Sequence, residues 1–274
     1  MNGRPTARSP MVVNGSIGPE TNVIGVVIPT YNEVENIDPL LNGLLSRESL
    51  HVIFIDDGST DGTQECIKEW ENREPSRVFL LARDHKLGLA TAYLTGFHYL
   101  MTNPSIRWIA QMDADGSHNV DDLFKMVAVG STGYDLVVGS RYVDGGQTVN
   151  WARMRRWLSR AGSLYSSFLL QCSVNDMTGG FKLWDRDLLR NLPLEAVRST
   201  GYGFQIEMNY FAMLAGACVT EVPITFRERI HGKSKMSWKI ALEALIMVWR
   251  LRMQRMKLQG RIDQNARVIN LRRT

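Results

Sequence analysis

Two aspartates one residue apart, Asp113 and Asp115, close an apolar run that begins at Ile106. In an extended chain residues two apart point the same way, so both carboxylates can aim at one spot beyond the strand end. Gly116 then frees the chain to turn away. Paired hard oxygen ligands suit Mg²⁺ or Mn²⁺, which bind through one or two carboxylates and take further oxygens from phosphate. A solvated turn uses the same residue types, so the pair gains meaning only from what else reaches the same place.

Other polar clusters follow other apolar runs. Tyr31 and Glu33 follow residues 23–28 and Pro29, Asp56 and Asp57 follow residues 52–55, and Arg141 follows residues 136–139. Helical patterns at residues 36–46 (with Pro39 in the first turn), 63–72, up to 101 and 121–129 separate these runs, and residues 78–81 supply a further strand. Such alternation predicts a parallel, doubly wound sheet. Ligands bind beyond the carboxyl ends of its strands, where all these clusters sit. This rim could hold a nucleotide, with carboxylates for base and ribose hydroxyls and a metal for the diphosphate. Neither a Gly-x-Gly-x-x-Gly after the first strand nor a full Gly-x-x-x-x-Gly-Lys-Ser/Thr P-loop is present.

Past residue 139 the pattern loosens. A Gly-rich loop at 144–147 leads to a helix over 151–170 that carries Arg153, Arg155, Arg156 and Arg160. A polar turn follows at 175–181, a helix opens at Tyr202, and residues 220–226 read as a strand. Arg227, Arg229, Lys233 and Lys235 then fall within nine residues.

Length and charge bound the rest. The 274 residues suit one large α/β domain or two small ones. Cys66, Cys172 and Cys218 have no metal-ligand spacing and no disulfide framework, which points to a reducing compartment. Residues 1–22 read as a flexible tail without a signal peptide, and no stretch approaches the roughly 18 apolar residues that span a bilayer. Residues 227–274 hold 13 Lys/Arg against 3 Asp/Glu, whereas the preceding chain holds 19 against 25. A basic end on an acidic body implies an anionic partner, membrane or nucleic acid. Basic residues confined to the C-terminal part, with no recognition motif, argue against nucleic acid. Residues 238–259 read as an amphipathic basic helix whose stripe is Leu242, Leu245, Ile246, Trp249, Met253 and Met256. That stripe could lie in an anionic membrane interface or cover the protein's own sheet, and the sequence leaves both open. Residues 260–274 read as a basic tail.

Residues 27–33 (Val-Ile-Pro-Thr-Tyr-Asn-Glu), 55–63 (Ile-Asp-Asp-Gly-Ser-Thr-Asp-Gly-Thr) and 112–115 (Met-Asp-Ala-Asp) resemble the inverting family 2 glycosyltransferases of the GT-A fold. Residues 139–142 (Gly-Ser-Arg-Tyr), 179–181 (Gly-Gly-Phe) and 229–235 (Arg-Ile-His-Gly-Lys-Ser-Lys) narrow the resemblance to the dolichyl- and polyprenyl-phosphate mannosyltransferases. The likeness spans residues 23–237. It implies a Rossmann-like, mostly parallel sheet with flanking helices, a single domain followed by the amphipathic helix. By the same resemblance, Pro29, Tyr31, Glu33, Asp57, Asp113, Ala114 and Asp115 bind a nucleotide sugar, most often GDP-mannose, and Asp113 and Asp115 hold Mg²⁺ or Mn²⁺. Arg141, Arg155, Ser159 and Ser234 meet the acceptor phosphate, and Asp115, Arg141, Arg229 and Lys235 are catalytic. The expected partners are polyprenyl phosphate and an anionic membrane surface, with room for a membrane-protein partner, at the cytoplasmic face. Ser117 departs from the pattern, since the family often has a further metal-side Gln there.

The basic set also speaks independently of the family. A phosphate monoester has its second pKa near 6 and is largely dianionic at neutral pH, so unlike a hydroxyl it needs no general base. Its difficulty is approaching another phosphate, which Arg141, Arg229 and Lys235 answer by charge pairing. Asp176 is therefore not required as a base; it could orient the sugar or cap its turn. Asp113-Ala114-Asp115-Gly116-Ser117 also resembles the haloacid dehalogenase phosphatase signature, but that signature follows a chain's first strand, whereas three strand-like runs precede this one. A polysaccharide synthase would carry transmembrane helices and Gln-x-x-Arg-Trp, and neither is found. The donor could still be another nucleotide sugar, such as UDP-glucose.

Overall fold

The computed structural model describes residues 23–46, 50–228 and 238–271. Residues 1–22, and with them the expected tail, lie outside the described residues, as do Arg229, Ser234 and Lys235. In chain order the first half runs β1 (Val23–Thr30), α1 (Val34–Leu45), β2 (Leu50–Asp56), α2 (Thr63–Arg73), β3 (Val78–Ala82), α3 (Leu89–Met101), β4 (Ile106–Gln111), α4 (Val120–Gly130) and β5 (Leu136–Ser140). Next come β6 (Gln147–Val149), α5 (Arg153–Leu170), β7 (Lys182–Asp185), α6 (Arg186–Asn191), α7 (Tyr202–Leu214), β8 (Val219–Pro223), β9 (Thr225–Arg227), α8 (Trp238–Met253) and α9 (Arg255–Leu271).

The main sheet has the order β3-β2-β1-β4-β7-β5-β8, and β6 pairs with β9 in a small second sheet. All main-sheet pairs are parallel except those of β7, which runs antiparallel between β4 and β5. Strand alternation feeds two apolar layers. Val27, Ile53, Ile55 and Ile109 face α3 and α7, while Val26, Ile28, Phe54 and Trp108 face α1 and α4. Small residues let one helix close in. A Cβ at Gly96 of α3 would lie 2.3 Å from Val27 Cγ1 on β1, and one at Gly25 would lie 2.6 Å from Leu100 of the same helix.

The doubly wound reading therefore holds, with local differences. The single strand expected over 220–226 splits at Ile224 into β8 of the main sheet and β9 of the second. Helix α1 starts at Val34, two residues before the expected point, which moves Pro39 out of the first turn and into the helix. Strand β7 has no sequence signal, being four residues with a lysine inside. The chain breaks its C-terminal helix near Gln254 and continues as α9 to Leu271, so much of the expected tail is helical.

The C-terminal stripe resolves as well. Val248 and Leu251 of α8 and Leu258 and Ile262 of α9 are buried against the domain. Leu245, Ile246, Trp249, Met253 and Met256 all remain exposed. Apart from Leu242, whose side chain lies outside the described residues, the stripe that the sequence displays is thus the outward face, and a second, shorter apolar face does the internal covering.

Candidate active site

The strand order reverses at β1, which has β2 on one side and β4 on the other. A crevice opens at such a switch point, beyond the strands' carboxyl ends. Here the sequence widens it. Met112 N donates to Val27 O at 3.2 Å. In a parallel ladder the next donor would be residue 29, a proline without an N–H. Pairing of β1 with β4 accordingly stops at Val27–Gln111, while pairing with β2 continues to Thr30–Asp56.

Pro29, Tyr31, Glu33, Asp57, Asp113, Ala114 and Asp115 all line one cavity of about 930 Å³ at this crevice. The rim is stitched together from loop to loop. Asn32 N donates to Ser59 Oγ (2.8 Å), Glu33 N to Thr63 Oγ1 (2.9 Å) and Thr60 N to Asn32 Oδ1 (2.9 Å). Asp56 is fully buried and builds the turn from within. It accepts from Thr30 Oγ1, Gln64 Nε2 and the backbone N–H groups of Gly58 and Ser59. That leaves its neighbour Asp57 to face the cavity, braced by Arg83 Nη1 at 2.9 Å and the Gly88 N–H at 2.8 Å. Tyr31 lies over the opening with the Lys86 ammonium 3.5 Å from its ring centre.

Asp113 is set from behind. The Tyr93 hydroxyl donates to its Oδ1 at 2.6 Å. Burial, and then the Asp113 charge, hold that phenol well above its ordinary pKa, so it stays a donor. His118 Nδ1 accepts from Asp113 N at 3.3 Å, and its ring stacks on Phe181 at 4.6 Å. Burial lowers the imidazole pKa, consistent with a neutral ring protonated at Nε2. Gly116 turns the chain with φ of +71°, as its place after the pair required. Gly180 leaves Asp113 open on the other side, since a Cβ there would stand 3.4 Å from Oδ2.

These observations fit a divalent cation. Two carboxylates at one cavity wall, one of them fixed by a donor on a single oxygen, match the usual Mg²⁺ arrangement in which substrate phosphate supplies further ligands. No group of three or more His, Cys, Asp or Glu side chains suited to a metal occurs among the described residues. Ser117 Oγ is buried beside the pair with no partner among the described residues, while its N–H donates to Asp115 Oδ1 at 3.1 Å.

The residues expected at the acceptor phosphate form a second, adjoining group. Arg141 is buried and makes a bidentate pair with fully buried Asp176, at 2.7 Å from Nε and 2.6 Å from Nη2. Asp176 is thus the counter-ion of Arg141, neither a simple turn cap nor an exposed sugar ligand. Arg141 Nη2 also reaches Thr178 Oγ1 (3.0 Å), which lies 3.3 Å from Ser159 Oγ. Trp151 carries the Arg155 guanidinium 4.0 Å from its ring centre and that of Arg141 at 5.2 Å, and Arg155 pairs with Glu228 at 2.8 Å. Arg141, Arg155 and Ser159 are therefore brought together, though none of the three lines the cavity of the aspartates.

Nothing local in the sequence places six further residues at or behind the site. Arg198, Arg250, Lys257 and Arg261, from the segment before α7 and from α8 and α9, line the cavity and set cations against its carboxylates, Glu33, Asp57, Asp113, Asp115 and Glu207. Lys182 on β7 is fully buried and donates to Gln205 Oε1 at 2.6 Å, which also accepts from Gln111 Nε2 at 2.7 Å. Tyr93 is the sixth; its partner Asp113 lies 20 residues on.

Lys182 carries a pH signature. Burial lowers its ammonium to about 7, against the opposing pull of Asp176 and Asp113. An unfolded lysine stays protonated up to its ordinary value of 10.5, so between these values the unfolded chain binds more protons and stability rises with pH. The slope for one group is at most about 1.4 kcal/mol per pH unit. Urea midpoints from about pH 7 to 8.5 are expected to rise in the native chain and to rise less steeply in Lys182→Met; equal slopes would remove Lys182 as the source.

The sequence model described as glycosyl transferase family 2 matches residues 25–192. Polyprenol monophosphomannose synthase of Mycolicibacterium smegmatis is 41% identical over 249 residues, covering 89% of this chain and 90% of that protein. Undecaprenyl-phosphate mannosyltransferase of Micrococcus luteus is 41% identical over 227 residues, covering 82% and 91%. Among solved structures, glucosyl-3-phosphoglycerate synthase from Mycobacterium tuberculosis, in complex with UDP, superposes with a TM-score of 0.60 at 18% identity, covering 84% of this chain and 80% of that one. At that identity the likeness supports the GT-A fold. The fold, the single-domain sheet and these matches agree: the chain is a glycosyltransferase and belongs to glycosyl transferase family 2.

Proposed function

We propose that the protein transfers mannose from GDP-mannose to a polyprenyl phosphate of the dolichyl type, with inversion, giving polyprenyl-phosphate-mannose. The observation that carries this reading is the convergence of Pro29, Tyr31, Glu33, Asp57, Asp113, Ala114 and Asp115 on one cavity, alongside an adjoining basic group. Similarity to two mannosyltransferases of polyprenyl phosphates supports the acceptor and the sugar.

In this reading Asp57, Glu33 and Tyr31 hold the nucleoside, and the stitched loops keep their geometry fixed before the donor arrives. Asp113 and Asp115 hold Mg²⁺ or Mn²⁺, which when bound stabilises charge on the departing diphosphate. The acceptor phosphate meets Arg141, Arg155, Ser159 and Ser234, with Arg229 and Lys235 completing the basic set. A phosphate oxygen attacks the anomeric carbon as the bond to GDP breaks, and no residue has to remove a proton. Asp176 has no base role here, because it is buried and committed to Arg141. No helix among the described residues is long and apolar enough to cross a membrane. We assign the enzyme a peripheral place at the cytoplasmic face of the membrane that carries its acceptor.

The test is transfer of radiolabelled sugar by isolated protein to polyprenyl phosphate, with GDP-mannose, UDP-glucose and other donors in parallel. GDP-mannose is expected to give the highest kcat/KM, and EDTA to abolish transfer, with Mg²⁺ or Mn²⁺ restoring it. Transfer from no donor to lipid phosphate would overturn the reading, and full activity in EDTA would remove the metal.

A further inference from the structure

Glu207 of α7 brings a further carboxylate to the cavity of Asp113 and Asp115. The residue is almost wholly buried, at 3% exposure. A helical side chain leans toward the N-terminus, over the residue four positions before it. Here that residue is Gly203, which leaves the path clear; a Cβ there would stand 3.1 Å from Ser199 Cβ and 3.2 Å from Met247 Cε. Glu207 thus reaches back past the start of its own helix. Its Oε2 accepts from Ser199 N at 2.9 Å and from Arg198 N at 3.1 Å. Both bonds fall on that one oxygen. Oε1 has no donor among the described residues, and it is not sealed in the interior. A buried acid with one oxygen anchored and the other open to a cavity is an acceptor for something that enters the cavity.

The first turn of α7 packs behind the Asp113 wall. Phe204 stacks on Tyr93 at 5.9 Å, and the Tyr93 hydroxyl donates to Asp113. Gln205 Nε2 and Asp113 Oδ2 converge above Gly180, at 3.7 and 3.4 Å from where its Cβ would be. Yet Glu207 does not join Asp113 and Asp115 in a group of three suited to a metal, among the described residues. A diphosphate offers only acceptors and like charge, so it would be repelled. A phosphate nucleophile needs no base. The part of a nucleotide sugar left for such an acceptor is the sugar, whose hydroxyls donate. We propose that Glu207 binds the transferred sugar, its Oε1 accepting a hydrogen bond from one sugar hydroxyl and so selecting among hexoses. The assignment rests on the reading above that this cavity takes a nucleotide sugar. The two backbone anchors hold the carboxylate in place before the donor arrives, so little side-chain freedom is lost on binding. An acceptor fixed in this way separates epimers, because a hydroxyl turned to the other face of the ring leaves a buried carboxylate oxygen unpaired.

The experiment is calorimetric titration of the full chain, with Mg²⁺, by GDP, GDP-mannose and monodeoxy GDP-mannoses lacking each sugar hydroxyl in turn. In Glu207→Gln the amide's single oxygen has to serve the two backbone N–H groups, which turns its NH₂ toward the cavity. Its thermal transition is expected to stay close to wild type, since both anchors survive. GDP is expected to bind this variant as it binds wild type, and GDP-mannose roughly tenfold to a hundredfold more weakly. One deoxy analogue should bind wild type more weakly by a similar factor. With that analogue the substitution should cost little more, because the bond is already gone. A merely structural carboxylate would produce neither the selectivity nor the non-additivity. Equal losses for GDP and GDP-mannose would place Glu207 on the nucleoside or in the framework and overturn the proposal. Unchanged affinity for GDP-mannose, or the same added loss with every deoxy analogue, would overturn it as well. If the chain binds UDP-glucose in place of GDP-mannose, the same comparison with UDP and deoxyglucose donors decides Glu207, and only the donor proposed above falls. The expected binding pattern without transfer to polyprenyl phosphate would reject the proposed function and leave Glu207 assigned. A wild type that binds no nucleotide sugar would overturn both.

Discussion

Asp115→Asn is expected to lower the rate of sugar transfer by about three orders of magnitude or more, with nucleotide affinity falling less when metal is absent. Asparagine keeps the shape and removes the charge. The side chain sits in the bend beyond the end of β4 with Asp113 two residues before it, and both line the cavity. If the pair holds the cation, halving its charge removes stabilisation from a leaving group that gains negative charge in the transition state, where electrostatic losses of this size are usual. The check is kcat with saturating donor, together with Mn²⁺ titration followed by electron paramagnetic resonance in the presence of GDP. Wild-type turnover with unaltered Mn²⁺ binding would reject the assignment. The same substitution at Asp113 should be similar in rate; the amide oxygen can still accept from the Tyr93 hydroxyl but without a charge, which adds only a small stability loss that Asp115→Asn lacks.

Asp176→Ala is expected to cost about 3–5 kcal/mol of stability, enough to threaten folding, because it strands a buried guanidinium. Arg141 is 4% exposed at its side chain and Asp176 not at all, and the two make a bidentate pair. The carboxylate also accepts from Arg141 N at 3.0 Å, so its removal orphans backbone as well as side chain. Asp176→Asn should cost less, since an amide oxygen still accepts one of those bonds. Urea unfolding at neutral pH measures both. A loss below about 1 kcal/mol for the alanine variant would mean that Arg141 finds water or another partner on relaxation.

How much of this was legible depends on the range of the interaction. Strands β1, β2 and β4 declare themselves as apolar runs, and the turn residues behind them declare the rim, because both are local patterns. Pro29 could be read as a strand end, yet its effect on the β1–β4 ladder needs the strand order. Strand β7 was hidden because Lys182 breaks its apolar run, and only Gln205, Gln111 and the register opposite Gln111 explain how a lysine can be buried there. The basic residues of α8 and α9 were visible as charge, but periodicity cannot tell which wall of the molecule a helix covers. Their place in the cavity with Asp113 and Asp115 follows from tertiary contact alone. Asp176 illustrates the same limit from the other side, since its sequence neighbours suggest a turn while its partner lies 35 residues away.

The position of β7 has a consequence for how the chain is made. The run β3-β2-β1-β4 is complete in sequence by residue 111, and β5 by residue 140, but they join only through β7 at residues 182–185. During synthesis from the N-terminus, β4 and β5 therefore emerge as open edges and wait for about seventy and about forty more residues, respectively, before the strand between them arrives. Open edges of apolar strands template wrong pairing. The aspartates and Arg141, which flank that gap, come into fixed relation only in this late, long-range insertion. The wall that carries the aspartates can thus be ordered before the group around Arg141, and chaperone dependence should concentrate in that interval.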